Sequence, residues 1–188
     1  NELLSKNIEH PKVNKIKELI QQSINNPKNK TIIFSQYRNT VSKLSEELNK
    51  IPNIKSKVFV GQAKKGKDEK GLSQKEQQQI MNEFREGKIN VICATSIAEE
   101  GLDIPEVNSV IFYEPIPSAI RKIQRAGRTA RLMKGNLIIL ITKGTLDEIF
   151  HYTSMAKERK MHSSIASIKK DLDNGIPLYD KEEQKKLF

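Results

Sequence analysis

The chain has 188 residues, 36% of them hydrophobic and 30% charged, a balance that suits one soluble domain with a real core and no membrane contact. Lys and Arg number 33 against 23 Asp and Glu, and the resulting formal charge of +10 favours a polyanionic partner. Cys93 is the only cysteine, which excludes a disulfide framework or a thiolate metal site, and His10, His151 and His162 fall at no ligand spacing.

In chain order, Val13, Ile16, Leu19, Ile20 and Ile24 follow helical spacing after Pro11, predicting a helix over 11–24. Thr31–Phe34 is a short apolar run and predicts a buried strand. Val41, Leu44 and Leu48 mark a helix over 39–50, closed by Pro52. A second strand is expected over 57–61, then a polar, lysine-rich surface loop over 62–71. Ser73-Gln74-Lys75-Glu76 has the spacing of a capping box, so a helix should run from there to Glu86 and end at Gly87. Strands are expected over 90–94, 109–113 and 136–142, with a helix over 118–126 between the last two. From Thr145 the pattern is helical to about Asp173, with a frayed tail over 180–188.

Apolar strands alternating with helices predict a parallel α/β sheet covered on both faces. Ligands of such folds meet the loops at the carboxyl ends of the strands, where Ser35, Gly61, Thr95 and Glu114 fall. Cys93, inside the apolar run 90–95, reads as a buried structural thiol. The longest unbroken apolar run, Leu137–Ile141, is too short to span a bilayer. With no signal-peptide pattern, an intracellular, reducing compartment is expected, and the start on Asn rather than Met suggests a segment of a longer protein.

One segment stands apart. Pro115–Leu146 holds no acidic residue, yet contains Arg121, Lys122, Arg125, Arg128, Arg131, Lys134 and Lys143. Guanidinium groups without carboxylates call for an external anion, and phosphate matches their planar fork. Gly61-Gln-Ala-Lys-Lys-Gly66-Lys67 fits most of a P-loop. However, Asp68 stands where a Ser or Thr should reach magnesium, its charge would repel phosphate, and Gly71 interrupts any following helix. The chain therefore carries anion-binding arginines without a site that grips a nucleotide by itself.

Gln124-x-x-Gly127-Arg128-x-x-Arg131 resembles motif VI of superfamily 2 helicases. Ala94–Pro105 resembles their motif V, and Ile33-Phe34-Ser35-Gln36-Tyr37-Arg38 their motif IV, in the right order. Phe59–Ala63 with Gly71–Gln77 is similar, more narrowly, to the archaeal Hef and Fanconi-anaemia M group of DNA helicases; Dicer-like and RIG-I-like RNA helicases are the nearest alternative. The resemblance implies a RecA-like sheet over 1–143, the second of two motor domains, and a helical extension over 144–188. It implies ATP bound between the domains, with Mg²⁺ held by the N-terminal one. Arg128 and Arg131 would then be arginine fingers, Gln124 would orient the phosphate or water, and Gly101 and Asp103 would close on the ribose side. Ser35, Gln36, Gly61, Gln62 and Thr95 would hold the backbone of DNA, or alternatively RNA. Arg125 is expected to pair with a carboxylate such as Glu114. Plainer readings stand beside these: Ser35 and Thr95 as strand-end turn residues, Gln62 as a solvated loop side chain, Asp103 as a turn cap. A nucleic-acid-binding module without catalysis is the rival from another class.

Overall fold

The structure, a computed structural model, describes residues 10–23, 26, 28–62, 71–95, 105–115 and 136–174. Among these, five strands form one parallel sheet: β1 (Thr31–Phe34), β2 (Ser56–Phe59), β3 (Val91–Ala94), β4 (Ser109–Phe112) and β5 (Asn136–Ile139), in the order β2-β3-β1-β4-β5. The helices are α1 (Pro11–Ser23), α2 (Arg38–Asn49), α3 (Gln74–Arg85) and α4 (Leu146–Asp173).

Successive strand residues point to opposite faces, so each apolar strand feeds two cores. Ile32 and Phe34 of β1 join Ile92, Phe112 and the Met81 and Phe84 side chains of α3 on one face. Ile33 joins Cys93, Ile111, Ile16 and Ile20 of α1, and Leu44 and Leu48 of α2 on the other. This is why the central strands β1, β3 and β4 carry no polar alternation: every one of their residues is buried.

Helix α3 begins as the sequence predicts. The Ser73 hydroxyl accepts from Glu76 N (3.3 Å), and the Ser73 N–H donates back to the Glu76 carboxylate (2.7 Å). Gly87, at φ +77°, ends it in the left-handed region.

β3 and β4 are each one residue shorter than expected, and the other two corrections are larger. β2 runs over Ser56–Phe59 rather than 57–61, and β5 stops at Ile139 rather than 142. Among the described residues β5 pairs with β4 alone, whose last paired residue is Phe112, and the Leu140 N–H bond to Phe112 O (2.9 Å) closes the ladder. As an edge strand β5 is also less buried than the central strands, with Leu137 40% exposed.

At the opposite edge, β2 turns alternate backbone groups away from β3. The Ser56 pair is met by the Asn49 side chain: its amide donates to Ser56 O (3.1 Å) and its oxygen accepts from Ser56 N (2.8 Å). Further along, Gln77 of α3 donates to Val60 O (3.0 Å).

In α4, with 28 residues, Ser154 is buried and Phe150 and His151 are half-buried, while Leu146, Ile149 and Tyr152 are exposed. Its first turn is tied to α1, where the buried Lys12 ammonium bonds the Asp147 carboxylate at 2.5 Å. Among the described residues, no helix is long and apolar enough to cross a membrane.

Candidate nucleic-acid interface

Parallel pairing places the ends of four strands at one margin of the sheet. Phe34 aligns with both Ala94 and Phe112, and Phe59 aligns with Ala94. Backbone bonds then stitch the following residues together: Ser35 N to Ala94 O (3.0 Å), Thr95 N to Phe59 O (3.1 Å) and Tyr113 N to Phe34 O (2.8 Å). Ser35, Gly61, Gln62, Thr95 and Glu114 thus share one edge, as expected of ligand-binding loops in this class of sheet.

Within that edge the residues differ in availability. Gln36 and Gln62 are exposed, as is Tyr37 between Gln36 and Arg38. Ser35, Gly61 and Thr95 are buried. The Ser35 hydroxyl donates to Glu114 Oε1 (2.8 Å) and accepts from Tyr37 N (3.3 Å), while Gln36 N donates to Glu114 Oε2 (3.2 Å). One carboxylate therefore fixes the whole turn leading into α2. Burial pushes the Glu114 carboxyl above its ordinary range, against the opposing pull of the Ser35 and Gln36 donors and Lys12. Burial, with Glu114 and Asp147, likewise raises the Tyr113 phenol. Asp147 goes the other way: burial pushes it up, but the Lys12 ammonium and the Thr142 N–H together hold it below its usual value.

The loop after β2 is held from two sides. Arg38 donates through Nη2 to Gly61 O (3.1 Å), and its buried Nη1 finds no partner among the described residues. Gly71 lies so close that a Cβ there would overlap the carbonyl oxygens of Gly61 and Gln62.

Sequence reasoning did not anticipate Glu114 as the organiser of the Ser35–Gln36 turn; its position at a strand end before Pro115 was the only signal. The anticipated partner Arg125 lies outside the described residues, as do Gln124, Arg128 and Arg131, Gly101 and Asp103, and the loop 63–70. Among the described residues, no cluster of three or more His, Cys, Asp or Glu side chains could hold a metal ion. The buried Cys93 thiol matches its reading as a structural group.

Residues 11–133 match the family model of the helicase conserved C-terminal domain. The chain belongs to that family. The helicase C-terminal domain described here is similar to the crystal structure of the Pyrococcus furiosus Hef helicase domain, at 48% identity and a TM-score of 0.66, covering 81% of this chain and 30% of that one. A Methanocaldococcus jannaschii protein, provisionally named an ATP-dependent RNA helicase, is 45% identical over 163 residues, or 86% of this chain and 20% of its own. The Neurospora crassa ATP-dependent DNA helicase mph1 is 43% identical over 122 residues, or 65% of this chain and 10% of its own. The chain thus spans a fifth or less of the length of these two curated relatives. The fold is that of a RecA-like helicase C-terminal domain, as the motifs imply.

Proposed function

We propose that this helicase C-terminal domain is the second motor half of an ATP-dependent DNA translocase acting on forked or branched DNA. The observation that carries the reading is the similarity to the Hef helicase domain across 81% of the chain. In this reading residues 1–143 are the motor half and 144–188 a helical extension. ATP sits between this domain and an N-terminal RecA-like domain that also holds Mg²⁺, inside the cell.

Arg128 and Arg131 reach the terminal phosphates, Gln124 orients the phosphate or the attacking water, and Gly101 and Asp103 close on the ribose side. The exposed Gln36 and Gln62 contact a nucleic-acid backbone directly, beside the Gly61 peptide. The buried Ser35 and Thr95 shape the turns that present them. Contacts of this kind position a strand without reading its bases.

The test has two arms. The 188-residue chain alone should show no meaningful ATPase activity. In the two-domain protein, Arg128→Ala or Arg131→Ala should lower kcat by ~10³–10⁵ while ATP still binds, the range known for arginine fingers. Robust hydrolysis by the isolated chain overturns the reading. An RNA substrate is the second reading, favoured by the name of the M. jannaschii relative; competition of forked DNA against duplex RNA separates the two.

A further inference from the structure

The hydrogen bonds that fix the Ser35–Gln36 turn do not end at Glu114. The peptide carbonyl just before Glu114, that of Tyr113, accepts from Lys12 Nζ at 2.8 Å. The same ammonium bonds Asp147 in the first turn of α4 and lies 5.3 Å from the centroid of the Tyr113 ring. The Lys12 side chain is only 9% exposed and that of Asp147 17%. Asp147 also accepts from Thr142 N (2.9 Å), tying the segment after β5 to α4. A continuous run of bonds therefore joins α4 to the turn: Asp147 to Lys12, Lys12 to the Tyr113 carbonyl, and Glu114 to Ser35 and Gln36.

We propose that Lys12, Glu114 and Asp147 are positioning residues that form a latch, through which the docking of α4 sets the geometry of the Ser35–Gln36 turn. The latch rests on the reading of that turn as part of the nucleic-acid surface. With α4 seated, Lys12 pins the peptide that carries Glu114, and Glu114 holds the Gln36 N–H and the Ser35 hydroxyl inward, leaving the Gln36 side chain at the surface. With α4 released, Lys12 loses its counter-charge, the Tyr113–Glu114 peptide is free to rotate, and the turn loosens. Movement of the C-terminal extension would then change the grip on a strand from a distance. The test measures both ends of the chain of bonds.

The variants are Asp147→Asn, Glu114→Gln and their double mutant in the 188-residue chain, with Asp147→Glu as the conservative replacement. The readouts are amide hydrogen exchange at Gln36 and Tyr37, and binding of a fluorescent single-stranded oligo-dT. Asp147→Asn should speed exchange at both amides about tenfold and weaken oligonucleotide binding about fivefold. Glu114→Gln should do the same, the double mutant should add little to either, and Asp147→Glu should restore most of both signals. If Asp147→Asn loosens α4 while exchange at Gln36 and Tyr37 stays at the wild-type rate, the pair only anchors a helix and the latch is overturned. Should the wild-type chain fail to bind oligo-dT at all, the nucleic-acid reading of the turn falls, and the exchange arm still decides the latch.

Discussion

Gly71 gives the sharpest test of how the candidate interface is built. A methyl group there would overlap the carbonyl oxygens of both Gly61 and Gln62, two backbone groups of the proposed strand-binding edge. Backbone cannot swing aside as a flexible side chain can, so Gly71→Ala must push the Gly61–Gln62 loop outward. Overpacking of this kind costs roughly 1–3 kcal/mol. Taking about 2 kcal/mol and a urea m-value of about 2 kcal/mol/M, the unfolding midpoint should fall by about 1 M. Gly87→Ala supplies the control. Among the described residues nothing lies within 4 Å of a Cβ there, but φ is +77°, so the cost is left-handed backbone strain of roughly 1–2 kcal/mol. The two variants should therefore lose similar stability, while only Gly71→Ala weakens oligo-dT binding, by about tenfold or ~1.4 kcal/mol. Urea titration followed by circular dichroism and fluorescence anisotropy read the two effects. A Gly71→Ala midpoint within about 0.2 M of wild type, which the same m-value equates to about 0.4 kcal/mol, would refute the close-approach argument. Equal binding losses in both variants would refute the assignment of the loop.

Ser73→Ala removes the capping-box acceptor of α3 and should cost about 1 kcal/mol in urea unfolding; a change below about 0.3 kcal/mol would mean that the cap is dispensable. Burial pushes the Cys93 thiol from its ordinary 9.0 up to about 12, the Ser56 hydroxyl at 3.4 Å opposing only in part. At pH 8 the native chain should react with an aromatic disulfide reagent no faster than it unfolds, and at once in denaturant. Because the folded value is the higher one, Cys93 contributes stability that is present below pH 9 and lost as pH rises toward 12, so Cys93→Ala should flatten that alkaline loss. Asp147 has the opposite sign. Its folded value lies below the ordinary 3.8, so its contribution is present above that pH and disappears as acid protonates it. Asp147→Asn should accordingly lower the urea midpoint more at pH 6 than at pH 3, and an equal drop at both would remove the ion pair as its cause.

Local features were the legible ones. Thr31–Phe34, an apolar run between polar flanks, announced β1 to the residue, and Ser73 with Glu76 announced the start of α3, because the information lies within a few positions. The sheet order was not legible, since placing β3 between β2 and β1 depends on how the crossovers pack and leaves no periodic trace. The run Leu137–Ile141 looked like a long buried strand, but hydropathy does not tell a central strand from an edge strand that pairs on one side only. The strand-end positions Ser35, Gly61 and Thr95 were readable from sequence. The group that organises one of those turns was not: Glu114 finds its partners 79 and 78 residues away, and Lys12 finds Asp147 at a separation of 135. Charge pairs so far apart leave no local pattern.

The Asn49 side chain at Ser56 bears on how the molecule behaves in a crowded solution. A parallel sheet of this kind ends in two raw margins, and a raw margin is a template on which a stray strand from another chain can crystallise into aggregate. Along β2 that template is defaced. A carboxamide already occupies the seat at Ser56 where an incoming backbone would dock, and Gln77 fills another at Val60. A newcomer could reach only the short interval between them, too little to register a ribbon. Replacing Asn49 with Ala would reopen the seat, making the protein prone to self-association well before it became unstable.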